Sequence, residues 1–186
     1  MTNITDDIIK QAAQGDARAF EAIYRSFSSL VYNVSFRILG NQQDAQEVTQ
    51  DVFINIHRKL SIFRFDSSLK TWIYRITVNT SINYGKKRTR EKKQTLPLDE
   101  QWQLTANIDE ADEPMNKEFN KTVIEKLLNS LNADQRACLV LRSVEGLSYQ
   151  EISEALNINI NTVRTRIKRA REALLALKTE VIKNAM

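Results

Sequence analysis

Between Asp16 and Gly40 the apolar residues Phe20, Ile23, Tyr24, Phe27, Leu30, Val31, Val34 and Ile38 recur at steps of three and four. In a helix turning about 100° per residue that spacing gathers them on one stripe, whereas a strand would need alternation. Asp16 can cap the start and Gly40 the end, so the segment predicts one long amphipathic helix. A short helix is expected from Thr5 to Gln14. Another is expected from about Asp44 to Leu60, with Ala45, Val48, Val52, Phe53 and Ile56 inward and Glu47, Gln50, Asp51 and Arg58 outward. A further one begins after Asp66 or Ser67 with Leu69, Trp72, Ile73, Ile76 and Thr80 on its apolar face. Only 4 Gly and 2 Pro occur in 186 residues, so little interrupts these helices. The expected fold is all-α.

Both prolines, Pro97 and Pro114, fall where the period breaks, and helical spacing returns with Phe119, Val123, Ile124, Leu127, Leu128 and Leu131. Two small helical domains are therefore expected, over 1–95 and 115–186, joined by a linker over 96–114. The charges support that division. Lys and Arg against Asp and Glu number 7 to 8 over 1–66, 8 to 1 over 67–93, 0 to 6 over 94–116 and 12 to 8 over 117–186. An acidic segment thus separates two basic ones, and clustered cations are the electrostatic footprint of nucleic-acid contact. The linker's carboxylates would repel phosphate. A solubilising tether accounts for their composition.

The last third is the most informative. Ser148 followed by Glu151 is a capping box that starts a short helix with Ile152, Ala155 and Leu156 inward. Asn157 and Ile158 make a tight turn. Asn159 caps a second helix whose apolar stripe is Val163, Ile167, Ala170 and Leu174. Two short helices joined in this way are a helix-turn-helix. Asn161, Thr165, Lys168 and Arg169 project away from the stripe, with Arg164 and Arg171 on one flank and Arg166 on the other. Donors would therefore face base edges in a major groove while the flanking cations hold phosphates. An ordinary basic surface helix would share the charge, but not the ordered capping box, turn and helix.

Enzyme chemistry finds no support. His57 is the lone histidine, no Cys/His/carboxylate spacing suits a metal, and neither a Gly-rich phosphate loop nor a nucleophile elbow occurs. No catalytic residue, metal, cofactor or small-molecule substrate is expected. Cys138 lies in an apolar run and reads as a buried structural thiol. The N-terminus has acids and no long apolar run, and no stretch approaches the roughly 18 apolar residues of a membrane span, so a soluble, cytoplasmic protein is expected.

At this point the residues resemble a known family. Leu147 to Leu174 is similar to region 4 of the extracytoplasmic-function (ECF) sigma factors of bacterial RNA polymerase, of the sigma-E type. Asp44, Ala45, Glu47, Gln50, Asp51, Val52 and Phe53 resemble the core-binding helix of region 2. Phe63, Arg64, Asp66, Thr71, Trp72, Ile73, Tyr74, Arg75, Ile76 and Asn79 resemble its segment that reads the minus-10 element. Two departures are local. Asn132 follows Leu131 where the family usually has proline, and Asn161 stands where many members have glycine. The absence of a further domain between regions 2 and 4 resembles the smallest sigma class.

The resemblance implies a factor that binds core polymerase, through the β′ clamp helices and the β flap, and directs initiation at promoter DNA. Asp44, Glu47, Gln50 and Asp51 would meet the polymerase. Phe63, Phe65, Asp66, Lys70, Arg75, Asn79, Lys86, Lys87 and Arg88 would meet the minus-10 element, with a base held extruded near the aromatics. Trp72 sits on the apolar face, which favours a core role over base stacking. Asn161, Thr162, Arg164, Thr165, Arg166, Lys168, Arg169 and Arg171 would meet the minus-35 element. An anti-sigma factor, free or membrane-anchored, is an implied partner. Two alternatives share features of the chain: a dimeric helix-turn-helix regulator acting without polymerase, and a first domain serving only protein interaction. A gel shift of promoter duplex with and without core polymerase separates them, since a dimeric regulator binds alone.

Overall fold

The computed structural model describes residues 4–95 and 131–184, with side chains over 4–91 and 131–176. Four helices come first: α1 (Asp6–Ala13), α2 (Ala17–Leu39), α3 (Gln42–Lys59) and α4 (Leu69–Thr95). A 3-10 turn, Leu60–Ile62, links α3 to the loop before α4. Then follow α5 (Ala133–Ser143), α6 (Tyr149–Leu156) and α7 (Ile160–Asn184). No strand occurs among the described residues, and the all-α expectation is met. The linker expected at 96–114 lies outside the described residues.

Local chemistry sets the helix ends. Thr5 and Asp16 cap α1 and α2, Asp16 accepting from the Ala19 amide at 2.8 Å. Gly40 ends α2 in the left-handed region at φ 71°, donating its amide to the Phe36 carbonyl. α3 starts earlier than its apolar period suggests, because the Asn41 side chain accepts from the Asp44 amide and draws the first turn back. Asn132, where proline would be usual, forms a capping box with Gln135 at the head of α5. The box of Ser148 and Glu151 opens α6 as expected, and the Ser148 amide holds the Glu151 carboxyl below its ordinary range. A Ser or Asn cap of this kind contributes about 1 kcal/mol.

Two layers of packing follow. Ile9, Ile23, Val31, Val48, Val52, Ile56, Leu60 and Ile73 form the first core, among α1, α2, α3 and the start of α4. A second core spans the two halves of the chain: Val34, Ile38, Tyr74, Val78 and Ile82 of α2 and α4 pack with Ala137, Cys138, Leu141, Ile152, Val163 and Ile167. α4 therefore buries two faces, one on α2 and α3 and one on the helix-turn-helix. The single face read from its sequence misses Tyr74, Val78 and Ile82, which are 1%, 0% and 8% exposed. Trp72 is half-buried against the first core, in line with the core role expected of it. Cys138 is fully buried, which pushes its thiol pKa up.

Candidate nucleic-acid and polymerase interfaces

The helix-turn-helix forms as its sequence suggests. Asn157 closes α6 in the left-handed region at φ 52°, and asparagine tolerates that conformation better than most residues. The Ser153 hydroxyl bonds the Ile158 carbonyl at 2.6 Å, tying the turn down. The Asn159 side chain accepts from the Asn161 amide at 2.8 Å and starts α7. Along α7, Val163, Ile167 and Ala170 are buried, while Asn161, Thr162, Arg164, Thr165, Lys168, Arg169 and Arg171 are exposed. Arg166 is half-buried and pairs with Asp134 of α5 at 3.3 Å. Arg164 donates to the Asn161 side chain at 3.0 Å, and Lys168 lies 3.8 Å from Glu172. The face offers an amide, two hydroxyls and free guanidinium groups over a hydrophobic base, the donor set that suits base edges and phosphates.

The second candidate surface follows α4. Lys70, Asn79, Lys86 and Lys87 are exposed. From Lys70 to Arg88 the helix rises roughly 27 Å, at about 1.5 Å per residue. Lys87 pairs with Glu91 within the helix, and Lys86 lies 3.7 Å from Asp134. Arg75 is turned toward the second half, where its Nη2 donates to the Glu154 carbonyl at 2.5 Å. In front of α4, Phe63 contacts both Phe65 and Trp72, with ring centroids 4.8 Å and 5.1 Å apart. Phe65 is exposed and holds φ at 58°, a conformation costly for a bulky side chain and often kept where function needs the projection. Asp66 is exposed beside it. A shallow groove of about 270 Å³ runs between α1 and this loop, lined by Ile9, Ala13, Leu60, Phe63 and Phe65.

The third surface is the outer face of α3. Glu47, Gln50, Asp51 and Arg58 are exposed in one stripe, and Ile54 stands among them 48% exposed. Asp44 departs from the stripe. It is 6% exposed and is held by an ion pair with Arg88 and by the Tyr84 hydroxyl at 3.3 Å. The same hydroxyl lies 2.9 Å from Glu47, and its pKa is raised, first by burial and then by that hydrogen bond.

Family models for sigma-70 region 2 and sigma-70 region 4 match residues 23–91 and 121–174. The ECF RNA polymerase sigma factor SigW of Bacillus subtilis is 33% identical over 177 residues, 89% of this chain and 92% of its own. The chain belongs to the ECF sigma factors. It binds core RNA polymerase and directs promoter-specific initiation of transcription. The ECF sigma-E factor of Escherichia coli K12 is 32% identical over 92% of this chain and 93% of its own. The sigma-H factor of Pseudomonas aeruginosa is 31% identical over 90% of each. Among solved structures, CnrH in complex with the cytosolic domain of CnrY aligns with a TM-score of 0.68 at 21% identity, over 96% of this chain and 99% of that one. The sigma factor RpoE of Bartonella quintana in complex with the anti-sigma factor NepR gives 0.67 at 22%, over 88% and 98%. At those identities the likeness is one of fold.

Three features of the structure, at Ile54, Tyr84 and Arg136, escape a local reading of the sequence. Ile54 escapes because a single apolar residue in a polar stripe carries no period. Tyr84 ties the α3 ridge to α4, and its spacing from Asp44 has no local signature. Arg136 is 8% exposed in α5, and burial pushes its pKa down to about 10. Its only local signal is a lone cation directly ahead of the apolar run from Ala137 to Leu141. No described helix is long and apolar enough to cross a membrane.

Proposed function

We propose that this ECF sigma factor meets core polymerase and the two promoter elements on separate surfaces. The outer stripe of α3, with Glu47, Gln50 and Asp51 at its centre, docks on the β′ clamp helices of core polymerase, and the second half contacts the β flap. Asp44 supports that stripe from within. The loop bearing Phe63, Phe65 and Asp66, with Asn79, holds an extruded minus-10 base, and Lys70, Arg75, Lys86, Lys87 and Arg88 hold the phosphates around it. α7 enters the minus-35 major groove, where Asn161, Thr165, Lys168 and Arg169 reach base edges while Thr162, Arg164, Arg166 and Arg171 fix the register.

The observation that carries this reading is the exposed donor face of α7 on a chain that also has an exposed aromatic loop ahead of α4. The factor acts in the cytoplasm and catalyses no reaction of its own. An anti-sigma factor, free or membrane-anchored, is its regulatory partner, a reading supported by the partners of CnrH and RpoE. Transcription in vitro with core polymerase across a genomic library, with start sites mapped, tests the proposal. Start sites should share paired elements near minus-35 and minus-10. Start sites unchanged from those of core alone would overturn it, and tight duplex binding without core would favour a dimeric regulator.

A further inference from the structure

Glu47 stands in the exposed stripe of α3, yet its carboxylate is held from behind. The Tyr84 hydroxyl of α4 donates to its Oε2 at 2.9 Å, and no lysine or arginine among the described residues pairs with it. Tyr84 is half-buried with its ring against the first core, so the hydroxyl is a fixed point and not a second mobile tip. An exposed glutamate otherwise spreads over many rotamers, and a partner that captures it must bear the cost of ordering it. Water could satisfy the same hydroxyl. The bond to Glu47 therefore adds order to an exposed side chain and does not rescue a buried donor.

A phenol has one proton to give, and two carboxylates lie within its reach. Asp44 is the other, with its Oδ1 at 3.3 Å from the same oxygen. Asp44 is 6% exposed and takes its countercharge from Arg88, which leaves the phenolic proton to the nearer acceptor. Arg88 thus holds Asp44, and Tyr84 is left to hold Glu47. Only Oε2 of Glu47 is engaged in this way, so Oε1 remains for a cation from outside the chain.

We infer that Tyr84 is a positioning residue for polymerase docking, holding Glu47 in the orientation that core polymerase meets. The role deepens the polymerase reading of α3 above and rests on it. Tyr84 itself need not touch the polymerase.

A double-mutant cycle in the full chain separates this role from a purely structural one. The parent, Tyr84→Phe, Glu47→Ala and Tyr84→Phe/Glu47→Ala are titrated against core polymerase without DNA, with helicity measured alongside by circular dichroism. Tyr84→Phe keeps the ring and removes only the hydroxyl. It should raise the Kd for core about three- to tenfold, the range expected for ordering one glutamate side chain, at parental helicity. Glu47→Ala should raise it at least as much. In the Glu47→Ala background the same tyrosine change should alter the Kd by less than about twofold, because the hydroxyl then has nothing to present.

Three results would overturn the positioning role while a Glu47→Ala defect keeps the polymerase reading standing. Tyr84→Phe could bind core as tightly as the parent or more so, it could cost the same in both backgrounds, or it could lose helicity and so show the hydroxyl to be structural. Glu47→Ala at parental affinity would instead remove Glu47 from the polymerase interface, and the inference with it.

Discussion

Arg88 of α4 closes an ion pair with Asp44 of α3, so the helix proposed to meet polymerase is tied to the basic cluster proposed to meet DNA. Asp44 is 6% exposed, and its partners are Arg88, the Tyr84 hydroxyl and the Asn41 cap. Removing it leaves the Arg88 guanidinium without its carboxylate, while the Tyr84 hydroxyl keeps Glu47 at 2.9 Å. Asp44→Ala should therefore cost about 1 to 3 kcal/mol of stability, read by urea denaturation. A variant as stable as the parent would show the pair to be idle.

The outer stripe of α3 behaves differently, because its residues face solvent. Glu47→Lys/Asp51→Lys should leave helicity unchanged and weaken association with core polymerase. Ile54→Ala should do the same through lost apolar contact, at a cost of more than about 1 kcal/mol in binding and within about 0.5 kcal/mol in folding. Pull-down of core by each variant, beside its circular dichroism, measures both. Unaltered affinity in all of them would remove α3 from the polymerase interface.

Elements with local causes were legible in the sequence. Asp16, Gly40, Ser148 and Asn159 act on amides and carbonyls within a few residues of themselves, so caps and helices could be placed from spacing alone. The stripe of α7 was legible for the same reason, and its exposed residues followed by subtraction. α4 was read only in part because Tyr74, Val78 and Ile82 are buried by a partner more than fifty residues away. Tyr74, Val78 and Ile82 recur at steps of four and so mark a second apolar stripe, but nothing within α4 says which distant segment covers it. Arg75 shows the consequence: the family resemblance implies a minus-10 contact for it, whereas its guanidinium is held by the Glu154 carbonyl. Glu145 and Arg37 were unreadable, since their pairing spans 108 positions.

Alkaline pH should loosen the second core through Tyr74. Burial, followed by the hydrogen bond to Glu145, holds its pKa well above the ordinary value near 10. The folded state therefore keeps a proton that the unfolded state releases. Its contribution is fully present below about pH 10 and falls as pH rises beyond that. Arg136 works in the opposite sense, because its folded pKa near 10 lies below the unfolded value. Comparing Tyr74→Phe with the parent cancels that second effect. The variant should be less stable by about 1.5 to 3 kcal/mol at pH 8, and the gap should narrow from pH 10 to pH 11. A gap constant across that range would show that the Tyr74 proton is not coupled to folding.

The two DNA surfaces differ in chemistry, and their defects should separate along the promoter. Arg169 points outward from α7, opposite the buried stripe of Val163, Ile167 and Ala170. In a major groove its guanidinium can make a bidentate contact to guanine, so Arg169→Ala should cost about 1 to 3 kcal/mol of discrimination within the minus-35 element. Asn79 is exposed on α4, the helix that follows the Phe63, Phe65 and Asp66 loop, where an amide can read the edge of an extruded base. Asn79→Ala should shift preference within the minus-10 element and slow strand opening, leaving minus-35 preference intact. Both variants remove exposed side chains, so folding should be unaffected within about 0.5 kcal/mol. Transcription from promoters randomised at one element at a time, with each mutant holoenzyme, maps the defects. If Arg169→Ala changed minus-10 preference, or Asn79→Ala changed only minus-35 preference, the pairing of halves with elements proposed here would be reversed.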